Sequence, residues 1–318
     1  MNQKLSPSTI ALLTLAPLLW AGNAIVGRLV REAVPPMTLN LLRWTIAMVI
    51  LLPLGRRLFQ PGGGLRRNWA RYSMLGLLGV GLYNSLQYLA LQSSTPINVT
   101  LVAAGMPVWM LLVGSMFFRV RIGARQVAGA VLSIAGVLIV LCRGEWRQLI
   151  ALRLVPGDVY MILATIAWSF YSWLLVQPKD QQRKNLQRED QQQKDQPNDP
   201  PHIRADWAAF LLAQVMYGVL WSAAFTGIEW AVAPAPITWS WALLAALLYV
   251  AIFPAIIAMR CWGAGVERAG PSVGAFFTNL TPLFAALLSS AILGEAPHAY
   301  HALAFLMIVG GIVFFARR

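Results

Sequence analysis

Long apolar stretches separated by short polar segments run through almost the whole chain. Each stretch has about 20 predominantly apolar residues, enough for a helix with a rise of 1.5 Å per residue to cross about 30 Å of hydrocarbon. A helix also satisfies its own backbone groups there. The pattern predicts an all-α integral membrane protein with ten transmembrane helices. The predicted spans are Ser8–Val30, Pro36–Leu54, Trp69–Leu91, Thr95–Phe118, Gly123–Cys142, Pro156–Gln177, Asp206–Gly227, Trp239–Trp262, Pro271–Leu293 and Pro297–Ala316.

The apolar stretches repeat at a fixed distance along the chain. When the sequence is shifted by 175 positions, Pro271 falls on Pro96 and Pro282 falls on Pro107 without a gap. Such self-similarity indicates an internal duplication. Because each copy holds five spans, the second copy must enter the membrane from the opposite side, which predicts the inverted repeats of alternating-access transporters. The predicted repeats are 8–142 and 156–316.

Composition and charge agree with a membrane protein. Apolar residues make up 58% of the chain and charged residues 12%, against about 25% charged residues in globular domains. The net charge of +13 could suit a nucleic acid, but the basic residues alternate between loops. Of the 25 Lys and Arg residues, 19 lie on one side of the predicted spans, five on the other and one, Arg43, inside a span. This asymmetry predicts cytoplasmic termini and no nucleic-acid partner.

One polar segment, 178–204, lies between the sixth and seventh spans and is rich in Gln and in charges of both signs. Almost nothing in it is apolar, which predicts a disordered cytoplasmic loop. The two cysteines, Cys142 and Cys261, are isolated within or at the end of apolar spans, and this indicates neither a disulfide nor a thiolate metal site. No metal or cofactor is predicted.

The first span places Trp20 and Asn23 on one helical face. An offset of 148 positions aligns these residues with Trp168 and Tyr171 of the sixth span. One interpretation is a packing face, on which the amide bonds to a neighbouring helix. The other is a face directed at a substrate.

The second span carries a basic residue, Arg43, seven residues after Pro36. Helical rise puts it on the order of 10 Å below the membrane surface, where a charge needs a partner or must reach back to water. A structural pair with Glu32 of the adjoining loop is one hypothesis. The alternative is that Arg43 supplies positive potential to a solute carrying a carboxylate.

The third span holds the richest polar cluster of any span. Tyr83, Asn84, Gln87 and Tyr88 share helical faces there. Because exposure of these groups to lipid is costly, they must face either protein or a water-filled cavity. We expect the cavity.

The fourth and ninth spans each contain a proline, Pro107 and Pro282. A proline inside a helix removes one backbone hydrogen bond and bends the helix. In the ninth span it stands beside Thr278 and Asn279. Interrupted helices at corresponding positions of two halves indicate a transporter's binding region, although packing kinks are an alternative.

Several of these segments together resemble a known family. They are LWAGN in the first span, Arg43 followed by an apolar run, YLALQSSTP before the fourth span, and NLTPLFAALLSSAILGE in the ninth. With the Gly-rich tenth span, they resemble the EamA-like branch of the drug/metabolite transporter superfamily over nearly the whole chain. The resemblance implies a bacterial inner-membrane carrier, commonly an exporter of amino acids or related metabolites. It also implies a cavity between spans one, three and four and their counterparts six, eight and nine.

The acidic residues bear on energy coupling. All twelve lie in loops or within about a turn of a predicted span end, and the three histidines also lie near the surfaces. The groups that relay protons through membranes are therefore missing from the predicted interior. We expect facilitated diffusion or weakly coupled exchange.

The sequence favours an alternating-access carrier of small metabolites, most simply amino acids. A carrier of a nucleotide-sugar or a lipophilic drug is the alternative. An integral-membrane enzyme is a remote one, since the sequence contains no HExxH and no convincing nucleophile with a nearby base. The expected partners are the solute and the bilayer, and either a monomer or a homodimer fits.

Overall fold

The computed structural model describes residues 5–60, 65–94, 99, 102–142, 145, 147, 155–176, 206–293 and 299–316. Every regular element among them is helical, which confirms the all-α prediction. The predicted 178–204 loop and Pro96 lie outside the described residues. In chain order the helices are α1 (Pro7–Leu29), α2 (Pro36–Leu54), α3 (Trp69–Ser93), α4 (Met106–Phe118), α5 (Ala124–Leu141), α6 (Pro156–Leu175), α7 (Trp207–Val232), α8 (Trp241–Ala269), α9 (Pro271–Thr278), α10 (Leu280–Leu293) and α11 (Ala299–Ala316).

Six of these helices, α1, α2, α3, α6, α7 and α8, are long and apolar enough to cross a membrane. The longest extensions beyond the predicted spans are those of α7, which ends at Val232, and α8, which ends at Ala269. Large apolar side chains remain exposed on the bundle, including Trp241 at 88% and Val232 at 80%. Exposed apolar surface on this scale is typical of a membrane-facing protein.

Local sequence explains where the helices begin and end. Proline has no backbone N–H to leave unpaired and its φ suits the first helical position. Asp206 caps α7 by accepting hydrogen bonds from Ala208 N and Ala209 N at 3.1 and 3.2 Å. Gly270 ends α8 with a φ of 88°, which favours glycine. The helices that open on proline start at Pro7, Pro36, Pro156 and Pro271.

Two helices contain a π-helical segment in their middle. These segments are Gly76–Leu82 in α3 and Ala251–Ile257 in α8. Their first residues are 175 positions apart, the offset that aligns the prolines in the sequence. Widened turns of this kind release carbonyl groups from regular pairing and are frequent at functional sites.

The helix breaks in the fourth and ninth predicted spans occur before the prolines. The chain leaves helical geometry at Gly105 and at Asn279. Pro107 is then the second residue of α4, and Pro282 is the third residue of α10. Both spans are therefore interrupted, and each proline stands in the first turn of the helix that follows the break, where a proline is tolerated.

Helix pairing follows a regular scheme. Helix α1 packs on α8 and α10, while α6 packs on α3 and α4, and α2 packs along α7. Exchanging each of the first five predicted spans for its counterpart among the last five converts the first set of contacts into the second. Helix α7 runs the length of the bundle. We therefore call the two ends of the bundle the Trp207 end and the Val232 end, after the first and last residues of this helix.

Among the described helices, α5 and α11 make the most extensive contact. A Cβ added to Gly129 would lie 2.9 Å from the carbonyl oxygen of Gly311, and one added to Gly311 would lie 2.7 Å from that of Gly129. The two backbones therefore touch, which only glycine permits. The small residues of the fifth and tenth spans form a seam within one chain.

Candidate functional site

Five aromatic rings from four helices meet in the interior and form what we call the aromatic cluster. Its members are Trp20 of α1, Tyr83 of α3, Trp168 and Tyr171 of α6, and Trp262 of α8. Trp168 is at the centre, with its ring centroid 5.3 Å from Trp20, 4.9 Å from Tyr83, 5.0 Å from Tyr171 and 5.7 Å from Trp262. These separations are within the range of favourable aromatic pairs. The cluster joins both halves of the chain.

The π-helical segments hold two of these rings. Trp20 Nε1 donates a hydrogen bond of 3.3 Å to the carbonyl oxygen of Pro254, in the widened turn of α8. Tyr171 lies over Gly79, in the widened turn of α3, where an added Cβ would be 2.6 Å from the phenol ring. Each segment therefore accommodates a ring from the first helix of the other half.

Sequence reasoning missed one member of the aromatic cluster, Trp262, and placed it near the membrane surface. Its side chain is fully buried, and its Nε1 donates to Ser172 Oγ at 3.3 Å. The earlier expectation was wrong because α8 continues for seven more residues to Ala269. The internal repeat carried the signal, since the 175-residue offset aligns Trp262 with Gln87, a predicted site residue.

A polar group built on Arg43 lies beside the aromatic cluster. Arg43 is 2% exposed, and its Nη1 donates to Asn23 Oδ1 at 3.4 Å and to Asn84 Oδ1 at 3.2 Å. The phenol of Tyr88 lies close to the guanidinium. The Arg43 Nε atom is buried without a hydrogen-bond partner among the described residues. We call Arg43, Asn23, Asn84 and Tyr88 the arginine group.

The hypothesis that Arg43 pairs with Glu32 was wrong. Glu32 is exposed and bonds to its neighbour Arg31 at 3.3 Å. The partners of Arg43 are neutral side chains whose oxygens orient the guanidinium but do not neutralise it. A buried cation of this kind attracts an anion, because its charge is compensated only by dipoles.

One turn before Arg43 on the same helix is a further buried amide, Asn40, which no sequence pattern singled out. Its Nδ2 donates to the carbonyl oxygen of Val80 at 3.1 Å and to Ser222 Oγ at 3.2 Å, and lies 3.5 Å from Ser85 Oγ. Val80 belongs to the π-helical segment of α3, so a carbonyl of that widened turn receives this bond. Asn40 ties α2 to α3 and α7.

The remaining predicted site residues lie apart from these contacts. Asn279, at the break between α9 and α10, donates to Ser133 Oγ of α5 at 2.9 Å. The Thr278 hydroxyl donates to the Ala275 carbonyl oxygen at 2.6 Å, within its own helix. Gln87 is half-buried one turn beyond Tyr83.

Cavities are found towards both ends of the bundle. At the Val232 end, a cavity of about 660 Å³ extends between α2, α3 and α7, with Leu82, Ser85 and Phe225 among its walls. Towards the Trp207 end, a cavity of about 60 Å³ is bounded by Tyr171, Gln214 and residues of α8. Tyr171 belongs to the aromatic cluster, and Ser85 bonds to Asn40 beside the arginine group. The small cavity thus reaches the aromatic cluster itself, and the large cavity reaches a neighbour of the arginine group.

The chemistry of the two groups is that of binding. They offer a guanidinium, amides and rings, and the described residues contain no set of three or more His, Cys, Asp or Glu that could hold a metal ion. Apolar helices around buried recognition groups, with a cavity towards each end, define the class as a membrane transporter.

The family model of the EamA-like transporter family matches residues 7–142 and 202–317. The chain belongs to this family, which confirms the resemblance noted from the sequence. Its relatives are named as transporters, not as enzymes.

Similar proteins agree with this assignment. A protein of Archaeoglobus fulgidus named as an uncharacterized transporter is 27% identical over 98% of this chain and 97% of its own length. The aromatic amino acid exporter YddG of Ancylobacter novellus is 26% identical over 93% of this chain and 92% of its own. A solved structure titled only as the crystal structure of a protein superposes with a TM-score of 0.70 at 23% identity, covering 99% of this chain and all of that one. The last likeness concerns the fold alone.

Proposed function

We propose that this protein exports amino acids by alternating access, and that it prefers those with apolar, above all aromatic, side chains. The observation that carries the proposal is the position of the arginine group directly beside the aromatic cluster. Asn84 follows Tyr83 in the chain, so one turn of α3 contributes to both groups. A guanidinium that can bind a carboxylate therefore lies next to the aromatic cluster.

The two groups complement the two ends of an aromatic amino acid. A guanidinium with a free Nε–H binds a carboxylate through charge-assisted hydrogen bonds. The rings around Trp168 offer edge and face contacts to an aromatic side chain, and their faces also attract an ammonium. That a distant relative is named as an aromatic amino acid exporter supports this choice of solute.

The architecture we propose is ten spans in two inverted repeats. Support comes from the π-helical segments at equivalent positions of α3 and α8, and from the helix contacts that interconvert when the halves are exchanged. Helix α3 runs towards the Val232 end, where its residues Leu89 and Gln92 line the large cavity. Helix α8 begins at that end, since Thr238 just before it bonds to Ala33 at 2.9 Å, so the two run in opposite directions.

The cavities support alternating access. We place the recognition groups on the path between the cavities, so that solute would reach the centre from one side and leave by the other. A rearrangement of the rings would then change the side that is open. We further propose that the protein lies in a bacterial inner membrane with cytoplasmic termini, so that the Val232 end faces outwards. The distribution of Lys and Arg along the chain supports this orientation.

Counterflow in proteoliposomes tests the function. Vesicles holding purified protein and loaded with unlabelled phenylalanine or tryptophan should accumulate the labelled amino acid transiently. Trp168→Ala removes the central ring and should raise the apparent KM by roughly tenfold, since one aromatic contact is worth about 0.5–1.5 kcal/mol beyond its buried area. Trp241→Ala is the matched control, because that ring is exposed.

Two results would contradict the proposal. One is the absence of counterflow for every aromatic amino acid by protein that remains folded and monodisperse. The other is counterflow that Trp168→Ala and Trp241→Ala leave equally unaffected.

A further inference from the structure

The start of α2 and the end of α7 are joined by a dense set of hydrogen bonds at the Val232 end. Glu229 Oε1 accepts from Met37 N at 2.9 Å, and Oε2 accepts from Thr38 N and from Thr38 Oγ1, both at 3.0 Å. Trp230 Nε1 donates to Thr38 Oγ1 at 2.8 Å, and Thr226 Oγ1 donates to the Met37 carbonyl oxygen at 3.0 Å. We call these contacts of Glu229 with Met37 and Thr38 the outer latch.

The outer latch caps a helix with a carboxylate from another helix. Pro35, the N-cap of α2, makes no side-chain hydrogen bond, and Pro36 has no N–H. The free N–H groups of Met37 and Thr38 would be unpaired without Glu229. Negative charge is also stabilised at a helix N-terminus by the helix dipole. No side chain at the start of α2 replaces Glu229. Loss of its charge therefore weakens the cap, because a glutamine offers one acceptor oxygen where the carboxylate offers two.

The same carboxylate belongs to the wall of the large cavity. Glu229 lines it together with Ser85 of α3 and Phe225 of α7. Ser85 is 4% exposed and lies against Asn40, the residue that ties α2 to α3 and α7. Asn40 in turn is one turn from Arg43. Three successive turns of α2 therefore carry the outer latch, the Asn40 tie and the arginine group.

The ion pair that joins the same two segments at the Trp207 end is much weaker than the outer latch. There Arg57, just after α2, lies 3.9 Å from Asp206, and the Arg57 side chain is 54% exposed. Asp206 caps its own helix, so α7 stays capped without Arg57. An exposed pair at this distance adds little to stability. The outer latch is the stronger of these two charged contacts between α2 and α7. Along the rest of the pair, Asn40 bonds to Ser222 and Gly55 packs against the backbone of Ala208.

From these contacts we infer that the large cavity is the vestibule of the solute pathway. We infer also that Glu229 holds α2 in the position that blocks the passage from this cavity to the arginine group. While the carboxylate holds Met37 and Thr38, α2 keeps Asn40 against Ser85. When the outer latch opens, the start of α2 moves away from α7 as a rigid rod and carries Asn40 with it. Glu229 is thus a positioning residue that acts through α2. This inference rests on the proposed transport function.

Thiol labelling tests the inference without any solute. A background with Cys142→Ala and Cys261→Ala receives Ser85→Cys as the reporter, and a polar maleimide is applied to protein purified in detergent. Glu229→Gln keeps the size of the side chain and removes its charge. We expect the labelling rate at position 85 to rise at least fivefold. Thr38→Val, which removes one of the three bonds to Glu229, should raise it by about twofold.

Two further reporters separate opening of the latch from general loosening. Gln92→Cys, exposed at the cavity, should label at an unchanged rate. Gly263→Cys lines the small cavity at the other end, and a Cβ there meets no atom within 4 Å. Its rate should also stay unchanged in Glu229→Gln.

Unchanged labelling at position 85 in folded Glu229→Gln and Thr38→Val would overturn the inference, and so would an equal rise at position 263. If Glu229→Gln does not fold, Thr38→Val decides alone. Because labelling needs no amino acid, a failure of counterflow in the unsubstituted protein would count against the proposed solute and not against the outer latch.

Discussion

The seam between α5 and α11 and the centre formed by the arginine group and the aromatic cluster join helices in opposite ways. At the seam, backbones touch through Gly129 and Gly311, and no side chain intervenes. At the centre, helices from both halves are held apart by large rings and by a buried guanidinium. One contact depends on the absence of side chains and the other depends entirely on them.

The difference indicates where the protein is rigid and where it can rearrange. Two glycine backbones in contact have one arrangement, because any separation loses their packing outright. Rings have alternative rotamers, and a guanidinium held by amide oxygens can exchange them for a carboxylate. The seam is suited to a fixed scaffold and the centre to a binding site.

Substitution at the seam should have the largest effect. Gly311→Val places a branched side chain 2.7 Å from the Gly129 carbonyl oxygen and 3.0 Å from Ser133 Cβ, so the backbones must separate. We expect destabilisation of about 3 kcal/mol or more and a sharp fall in folded protein. Thermal unfolding in detergent measures it, with Gly263→Val as control because that position is open. Equal melting temperatures for Gly311→Val and Gly263→Val would contradict the conclusion that the seam is the rigid part of the fold.

Substitution at the arginine group should spare the fold and reduce transport. Arg43→Met keeps the volume and loses the cation, so we expect counterflow to fall at least tenfold, in line with the roughly 1.5–3 kcal/mol of a hydrogen bond to a charged group. Arg43→Lys should retain part of the activity, because it keeps the charge without the planar fork.

The control for Arg43 is Arg57→Met. Arg57 lies just after α2, its side chain is 54% exposed, and it lines neither of the two cavities. Its loss should change counterflow by less than twofold. Full activity in Arg43→Met would show that the charge at the centre plays no part in solute recognition.

The smallest effect concerns the pH gradient. None of the residues that form the arginine group and the aromatic cluster is acidic or a histidine, so neither group can exchange protons near neutral pH. An imposed gradient of one pH unit across proteoliposomes should change the initial uptake rate by less than twofold. Strong accumulation of the labelled amino acid driven by the gradient would show that a group outside the arginine group and the aromatic cluster couples transport to protons. Glu229 of the outer latch would then be the first residue to substitute.

Several elements of the centre could be read from local pattern. Trp20, Asn23, Trp168 and Tyr171 follow from helical spacing and from the 148-residue repeat, and Arg43 stands out as a lone charge in an apolar span. These are properties of one helix at a time. Asn40 and Glu229 could not be found this way, because an amide near a helix start and an acid near a helix end are ordinary at the membrane surface.

The sequence by itself determined the helices, the class of protein and the residue types available inside it, because apolar length and the cost of buried charge act on each span separately. Only the tertiary structure decided the partners. In the structure, Arg43 bonds to Asn23 and Asn84 and not to Glu32. Trp262 belongs to the aromatic cluster, and Asn279 bonds to Ser133. Contacts between spans depend on how helices far apart in the chain rotate and pack against one another, and the pattern along one helix does not contain that information.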